Sequence, residues 1–218
     1  MRRVVLLVAM AGCGATPAST SSSPAPARRA AADTSTGALI PFGYGTLTQE
    51  QVAIELTVDN VVVRLIPLDE WVIRTLSPDV YRTLHAQAEG RRDAIAAAAS
   101  MRGLRARRLW RATYFGLTPD ARFTAGDVTV TSGGRDFRPL ETFPLTSRFG
   151  EGRVQPRDQQ IAIYLFDDAV DVSQPVAVTI GGSRNTSWGE GTDPILQKVE
   201  RETALIRSRA AAAAPSKP

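Results

Sequence analysis

The most concentrated group of side chains able to do chemistry is a run of arginines in the middle of the sequence. Seven arginines fall between positions 91 and 111, and Asp93 is the only acid among them. Guanidinium groups bind phosphates and carboxylates through charge-assisted, often bidentate hydrogen bonds. We therefore expect an anion-facing or partner-facing surface made by Arg102, Arg105, Arg107, Arg108 and Arg111. Its ligands would be lipid head groups, lipopolysaccharide phosphates or an acidic protein. The alternative is a solvated face offset by acids elsewhere.

Histidine chemistry is limited to one residue. His85 is the only histidine, and it lies between Leu84 and Ala86 inside a predicted helix. A Ser-His-Asp triad needs a histidine as its proton shuttle, but no nucleophile-elbow sequence accompanies this one. One histidine and one cysteine cannot form the usual nitrogen and sulfur site for zinc. The sequence therefore predicts no catalytic residue, no metal and no cofactor.

Carboxylates and tryptophans leave three other kinds of site open. Asp167, Asp168 and Asp171 follow a predicted strand and carry the oxygen ligands that Ca²⁺ prefers. Strand-end aspartates also serve their own turns, which is the simpler interpretation. A pair such as Asp168 and Glu190 would suit a hydrolase, which needs two carboxyl groups at a set separation. An apolar ligand pocket would instead be lined by Trp71, Trp110 or Trp188.

The single cysteine follows an export pattern. Met1-Arg2-Arg3 is positive, and Val4 to Ala11 is apolar but too short to cross a hydrocarbon core of roughly 30 Å. The run Met10-Ala11-Gly12-Cys13 resembles the lipobox of bacterial lipoproteins. This resemblance implies cleavage before Cys13, diacylation of its thiol and acylation of the new amine. It also accounts for a lone thiol in an exported chain. The other interpretation is an ordinary secretory signal with Cys13 present by chance.

The domain boundaries follow from composition. Residues 1–12 are predicted to be a signal peptide, and 13–37 a lipidated cysteine with a disordered linker of Ala, Ser, Thr and Pro. Such a linker spans roughly 25–30 Å. The folded domain is expected over 38–207, and a disordered tail over 208–218. Gly14 stands where inner-membrane lipoproteins usually carry Asp, so the resemblance implies the outer membrane if the host has one.

The charge balance excludes the class of nucleic-acid-binding proteins. The chain of 218 residues has a formal net charge of +4. Without the leader and linker residues, 22 of the 26 basic and 21 of the 22 acidic side chains remain, so the predicted domain is close to +1. A nucleic-acid module would carry a strong basic surplus on one face. The 43% of hydrophobic residues is typical of a globular protein.

An alternating segment at 52–58 and several apolar runs bounded by turns predict strands around these groups. The strands are expected over 52–58, 61–67, 107–115, 127–131, 159–166 and 176–180. Residues 71–76 are expected to form a further strand or an irregular packed segment. Ser77-Pro78-Asp79 is typical of a helix start and predicts a helix to about Met101, with a kink or break at Gly90. Thr192-Asp193-Pro194 repeats that chemistry before a C-terminal helix.

The middle of the predicted domain carries a second resemblance. From Asp127 to Ile180 the chain has a strand, the Ser132-Gly133-Gly134 turn, a long loop, the Gln155-Pro156-Arg157-Asp158 sequence and two more strands. This order resembles the second half of immunoglobulin-like domains in secreted bacterial lipoproteins. We therefore expect an immunoglobulin-like antiparallel β-sandwich, with an inserted helix at about 78–101 and a C-terminal helix at about 194–210. The resemblance covers about a quarter of the chain and implies no catalytic residues.

These features together predict a cell-envelope lipoprotein that binds or assembles rather than catalyses. Its partners would be the membrane, through the lipid anchor, and an envelope protein or an anionic lipid. Nucleic acid is not expected as a partner. The sequence leaves two alternatives open. One is a hydrolase that uses carboxylates, and the other is a domain that binds a small ligand.

Overall fold

The strands form at alternating segments such as Ile54–Val58 and at short runs of branched and aromatic residues such as Gln159–Phe166. The computed structural model describes residues 40–213, and the predicted signal peptide, lipobox and linker lie outside the described residues. The strands are β1 Ile54–Val58, β2 Val61–Pro67, β3 Arg108–Gly116, β4 Ala121–Arg122, β5 Thr129–Ser132, β6 Arg135–Phe137, β7 Glu141–Pro144, β8 Arg153–Val154, β9 Gln159–Phe166, β10 Val176–Ile180 and β11 Ser183–Asn185. The helices are α1 Gln49–Val52, α2 Glu70–Ile73, α3 Pro78–Glu89, α4 Arg92–Met101 and α5 Ile195–Ala213.

The strands pair into antiparallel sheets. The large sheet has five strands in the order β1-β2-β3-β9-β7, and the second sheet has four in the order β11-β10-β5-β6. Strands β4 and β8 form a separate pair. The two larger sheets are open, with an unpaired strand edge at each end of their order. The described domain is therefore mainly β, with antiparallel sheets and a C-terminal helix, as the sequence predicts.

The first hairpin shows how local sequence sets the register. Ile54 pairs with Leu65 and Val58 pairs with Val61, so Asp59 and Asn60 make the turn. Asp59 has a φ of 50°, in the left-handed region that Asp tolerates better than most residues. Because the side-chain period of a strand is two, this register places the apolar side chains of both strands on the same face.

One face of the large sheet, called here the inner face, contributes aromatic residues to the core. Trp110 lies 6.0 Å from Phe166 and 6.5 Å from Trp188, measured between ring centroids. Val130 and Val178 of the second sheet belong to the same buried cluster. Aromatic pairs at such separations add to the free energy of area burial. The inner face is thus the part of the large sheet that is shielded by the second sheet.

The opposite, outer face of the large sheet is partly covered by helices. On β3 the outer face is made by Leu109, Arg111, Thr113 and Phe115, which alternate with the inner residues. Ala98 and Ala99 of α4 pack against Leu165 of β9 on this face. Farther along, α1 adjoins the face, and its Gln49 contacts Arg111. Two charged or polar β3 residues, Arg111 and Thr113, are therefore buried on the outer face.

The helix predicted at 78–101 is interrupted at Gly90. Helix α3 ends at Glu89 and α4 begins at Arg92. The Gly90 N–H still donates to the Ala86 carbonyl at 2.9 Å, but Arg91 has φ −120° and ψ 9°, outside the helical region. A glycine costs about 1 kcal/mol relative to alanine within a helix, and here it ends one helix before the next begins. The prediction of a break is therefore confirmed.

The segment predicted as a strand or an irregular piece, residues 71–76, contains the short helix α2 instead. Asp69 caps this helix, because its Oδ1 accepts the Trp71 N–H at 3.0 Å. Val72 and Ile73 favour strands, but their buried side chains pack equally well from a helical turn. The capping chemistry of Asp69 outweighs the β preference of two branched residues.

The C-terminal helix continues beyond its predicted end. Helix α5 extends to Ala213 and so includes the first residues of the predicted tail. Its alanine-rich end has high helix propensity, and Arg209 donates to the Tyr44 carbonyl at 2.8 Å. Within the described residues, every helix is either too short or too polar to traverse a lipid bilayer.

Candidate functional site

Two of the five arginines predicted to face an anion are already paired within the domain. The Arg102 Nη2 donates to Glu141 Oε2 at 2.8 Å and to the Leu140 carbonyl at 2.9 Å. The Arg108 Nη1 donates to Asp69 Oδ2 at 3.1 Å. These side chains tie the start of β3 and the end of α4 to neighbouring segments. Their charges are offset by carboxylates of the same chain.

The structure separates the other three predicted arginines. Arg105 is exposed, and its backbone N–H donates to Asp168 Oδ2 at 3.3 Å. Arg107 is exposed and lines a cleft next to the helices. Arg111 is only 8% exposed and lies on the outer face of β3. The five arginines therefore do not make one continuous surface: Arg108 and Arg111 project from opposite faces of β3, and Arg111 is buried.

The cleft beside Arg107, named here the helical cleft, lies between α2, α3, α4 and the start of β3. Its volume is about 240 Å³. Its apolar lining comes from Leu68, Ile73, Ala88, Ile95 and Leu109, and its polar lining from Glu70, His85, Glu89, Arg92 and Arg107. The first set belongs to the buried core, and the second set surrounds it with charge. Apolar walls with a few convergent polar groups are typical of binding sites.

Glu70 organises one side of the helical cleft. Its Oε2 accepts hydrogen bonds from Arg74 Nε at 2.6 Å and from the Tyr81 hydroxyl at 3.2 Å. Burial, followed by the charge of Glu70, raises the pKa of Tyr81. Burial alone would lower the pKa of Arg74, but the bond to Glu70 raises it overall. The Glu70 carboxylate is therefore engaged in positioning two neighbours.

The remaining charged groups of the helical cleft differ in how they are paired. His85 Nε2 lies 3.6 Å from Glu70 Oε1, which is beyond hydrogen-bond distance. Arg92 forms an ion pair with Glu89 at 2.9 Å. Within residues 40–213, Arg107 has no ion pair with a carboxylate. The helical cleft thus presents one uncommitted guanidinium beside an apolar floor.

A second cleft opens between the ends of the two larger sheets. It has a volume of about 270 Å³ and is lined by Val58, Asp59, Val63, Tyr114, Arg122, Phe123, Thr124, Asp127, Ile180 and Gly181. The Tyr114 ring stacks on Phe123 at 4.1 Å, and its hydroxyl shares a 2.6 Å hydrogen bond with Tyr164. Burial raises the pKa of Tyr114 to about 12. Both tyrosines are therefore protonated at neutral pH and cannot act as bases there.

The two carboxylates considered for hydrolysis are not brought into one cleft. Glu190 lines a cleft of about 210 Å³ with Thr131, Pro175 and Arg184. Asp168 is not among the lining residues of that cleft; it instead accepts the backbone N–H of Arg105. A pair of carboxyl groups must flank the same bond to hydrolyse it. The geometry of the described residues therefore offers no support for this particular pair.

The aspartates that follow β9 serve turns. Asp167 Oδ1 accepts the Ala169 N–H at 2.9 Å, and Asp171 Oδ1 accepts the N–H and hydroxyl of Ser173 at 2.9 and 2.7 Å. These are the local side-chain to backbone bonds typical of aspartate in turns. Among residues 40–213, no group of three or more metal-ligating side chains is placed to hold an ion.

Two of the three tryptophans considered for a ligand pocket are core residues. Trp110 is 1% exposed and Trp188 is fully buried, with its Nε1 donating to the Val172 carbonyl at 2.9 Å. Trp71 is partly buried against the same core. None of these side chains lines any of the three clefts described above. These three tryptophans therefore serve to pack the core.

Sequence reasoning did not single out Glu70, Arg74 or Tyr81. One signal was present, because Glu70 and Arg74 are four residues apart, the spacing at which opposite charges meet on a helix. That signal can be used only if residues 70–74 are recognised as helical, whereas the sequence pattern predicts a strand or an irregular segment there.

Comparison with known proteins finds no family model, curated protein or solved structure that matches the chain.

Proposed function

We propose that this chain is a lipoprotein of a bacterial cell envelope that acts as a binding module rather than as an enzyme. The lipobox-like sequence ending at Cys13 supports attachment to a membrane, with the outer membrane favoured if the host has one. The linker predicted over 13–37 would hold the domain just off that surface. The partner in this proposal is an envelope protein or an anionic lipid.

The observation that carries the binding role is the state of the charged groups in the helical cleft. One oxygen of Glu70, Oε2, is committed to Arg74 and Tyr81, so this carboxylate already has a structural role within the domain. Arg107, in contrast, is exposed and has no ion pair among the described residues. An uncommitted guanidinium above an apolar floor suits recognition of an acidic group with a hydrophobic neighbour.

We also propose that the two larger sheets form an immunoglobulin-like β-sandwich with helical insertions. Support comes from the antiparallel pairing of β5 with β10 and from the shared core of the two sheets. In this proposal, α3 and α4 are an insertion that packs on the outer face of the large sheet.

The anchor is tested by Cys13→Ala in the full chain. We expect the substituted protein to leave the membrane pellet and to change its electrophoretic mobility, because it would lack the acyl chains that hold it to the bilayer. Unchanged pelleting together with unchanged mobility would contradict lipidation.

The binding role is tested by crosslinking in host membranes followed by affinity capture of the full chain. Arg107→Ser should lose the specific partner, whereas Arg207→Ser, on an exposed position of α5, should retain it. The control matches the loss of one exposed arginine without touching the helical cleft. Equal capture by both variants would contradict a role for the cleft. Turnover of an envelope substrate that is abolished by changing one cleft acid would contradict the non-enzymatic proposal.

A further inference from the structure

Arg111 is a buried charge that lacks a carboxylate partner in the described chain. It is 8% exposed, and its Nη1 donates only to the neutral Gln49 Oε1, at 3.3 Å. Its Nε is buried and has no hydrogen-bond partner. Burying an uncompensated charge is costly, so buried arginines are normally paired with carboxylates. The fold therefore buries the Arg111 charge without providing a carboxylate to pair with it.

A second unpartnered donor lies beside Arg111. The hydroxyl of Thr113, a residue that is 1% exposed, has no hydrogen-bond partner. Arg111 and Thr113 are two residues apart on β3, so both side chains project from the outer face of the large sheet. Buried polar atoms without partners are uncommon in native proteins. Two such donors side by side define a place where an acceptor is missing.

We infer that Arg111 and Thr113 form a binding site for the carboxylate group of a ligand, with Gln49 as its cover. In this site one carboxylate oxygen accepts from Arg111 Nε, and the second oxygen accepts from Nη2 on the same edge of the guanidinium or from the Thr113 hydroxyl, once Gln49 has moved aside. The site does not depend on the membrane anchor. It is also separate from the helical cleft, because none of these three residues lines that cleft.

The surroundings of Arg111 strengthen its attraction for an anion. Its cross-strand neighbours are Ile66 on β2 and Ile163 on β9, both fully buried. Apolar neighbours lower the local dielectric and so strengthen each charge interaction. Burial, with a further contribution from the charge of nearby Arg64, lowers the pKa of Arg111. A bound negative charge would offset both effects by stabilising the charged guanidinium.

Charges near the site favour a carboxylate over a phosphate dianion. Arg64 is held by Glu55 at 2.9 Å and by Glu50 at 3.3 Å, so it is not available to a ligand. Arg64, Glu50 and Glu55 together carry a net charge of −1. A dianion would bring two negative charges close to Glu50 and Glu55, so it would be repelled more strongly than a carboxylate with one. A carboxylate brings one charge and two coplanar oxygens, which match a guanidinium edge.

Gln49 is suited to act as the cover. It is half-buried, lies at the start of the four-residue helix α1, and is joined to Arg111 by a single long hydrogen bond. A bond of 3.3 Å to a neutral amide oxygen is weaker than a bond to a carboxylate, in which both partners are charged. Rotation of this one side chain would widen the approach to Arg111. The ligand's carboxylate could then reach the guanidinium.

The test follows the Arg111 Nε–H signal by NMR in the full chain, purified in detergent and labelled with [¹⁵N]arginine. The signal is assigned by its loss in Arg111→Lys. Acetate is the probe, with sodium chloride at matched ionic strength and inorganic phosphate as comparisons. We expect a saturable shift with acetate, none with chloride, and at least tenfold weaker binding of phosphate at pH 7. The Arg148 Nε, which donates to exposed Glu151, is the internal control and should show no saturable shift.

Two variants separate this site from a structural role. Gln49→Glu supplies the missing carboxylate from within the chain, so its Arg111 signal should start at the shifted position and no longer respond to acetate. Thr113→Val keeps the side-chain shape but lacks the hydroxyl, and should bind acetate about three- to tenfold more weakly. Unfolding followed by the fluorescence of buried Trp110 and Trp188 verifies that each variant is folded.

Three results would overturn the inference. The first is an Arg111 signal that ignores acetate or follows it only as Arg148 does, which would mean that an ordered water alone satisfies the two donors. The second is phosphate binding as tight as acetate binding, which would contradict the preference for a carboxylate. The third is a Gln49→Glu variant that binds acetate as well as the natural chain does.

Discussion

Substitution of Glu202 tests how the C-terminal helix is attached to the first segment of the domain. Glu202 is 5% exposed, and its Oε1 accepts the Thr46 N–H at 3.0 Å, the Thr46 hydroxyl at 2.9 Å and Arg209 Nη1 at 2.7 Å. Arg209 also donates to the Tyr44 carbonyl. One carboxylate oxygen therefore joins residues that are more than 150 positions apart. Glu202→Ala removes all three bonds at once.

The expected magnitude follows from the number and burial of these bonds. A hydrogen bond to a charged group contributes about 1.5 to 3 kcal/mol. Thr46 is exposed and the Arg209 side chain is 39% exposed, so water replaces much of what these donors lose. We expect a net loss of about 2 to 4 kcal/mol in the free energy of unfolding. For a domain of this size, the midpoint of thermal unfolding should then fall by roughly 5 to 15 °C.

The assay is thermal unfolding of the full chain, followed by near-ultraviolet circular dichroism. Glu200→Ala is the matched control, because Glu200 is exposed on the same helix. Its midpoint should remain within about 1 °C of the natural chain, as expected for an exposed surface substitution. Glu202→Gln retains an acceptor for Thr46 and should cost less than Glu202→Ala. A midpoint for Glu202→Ala equal to that of the control would refute the reasoning.

Three further predictions concern the buried tyrosine pair, the effect of alkaline pH and a closely packed glycine. Tyr114→Phe and Tyr164→Phe should each lower the free energy of unfolding by about 1 to 2 kcal/mol, because each leaves the other hydroxyl of the 2.6 Å hydrogen bond unpaired. The double variant should cost less than the sum of the two. Additive shifts of the denaturation midpoint would contradict this coupling. Alkaline pH should destabilise the natural chain. An unfolded tyrosine loses its proton near pH 10, whereas burial raises the pKa of folded Tyr114 to about 12. Stability should therefore fall as pH rises from about 10 to 12, by about 3 kcal/mol in total for this group and by about 1.4 kcal/mol at pH 11. Urea unfolding at pH 8 and 11 measures the second figure, and Tyr114→Phe should reduce it. Gly45→Ala should lower the free energy of unfolding by more than about 3 kcal/mol, because the added methyl would collide with the backbone of Thr75 and Leu76. Gly126→Ala is the control; its methyl meets open space, so the change should be nearly neutral. Similar thermal midpoints for the two alanine variants would argue against this packing.

Strands made of short apolar runs were predictable from the sequence. The bounds predicted for 61–67, 159–166 and 176–180 match β2, β9 and β10, because each is a run rich in branched or aromatic residues that ends at a turn. The segment 71–76 was not predictable in the same way. Its branched residues favour a strand, but the cap provided by Asp69 produces the short helix α2. A local competition of this kind is decided by what the segment packs against.

The candidate site shows where sequence spacing stops being informative. The five arginines predicted as one surface are close in sequence, but β3 and its neighbours give them different environments. Arg102 and Arg108 meet carboxylates from distant segments, Arg107 lines the helical cleft, and Arg111 is buried. Each partner is far away along the chain, so no spacing rule could have identified it.

Sequence alone determines the features of this protein that depend on local pattern and covalent chemistry. These are the mainly β character, the start of α3 at Pro78, and the prediction of lipidation at Cys13, which remains to be tested. Tertiary structure alone decides which charges remain without partners. The sequence places Arg111 in an arginine-rich run, but only the structure shows that neighbouring strands and α1 remove Arg111 and Thr113 from water without supplying a carboxylate. The physical reason is that desolvation and pairing depend on segments distant along the chain, whereas periodicity and capping depend on adjacent residues.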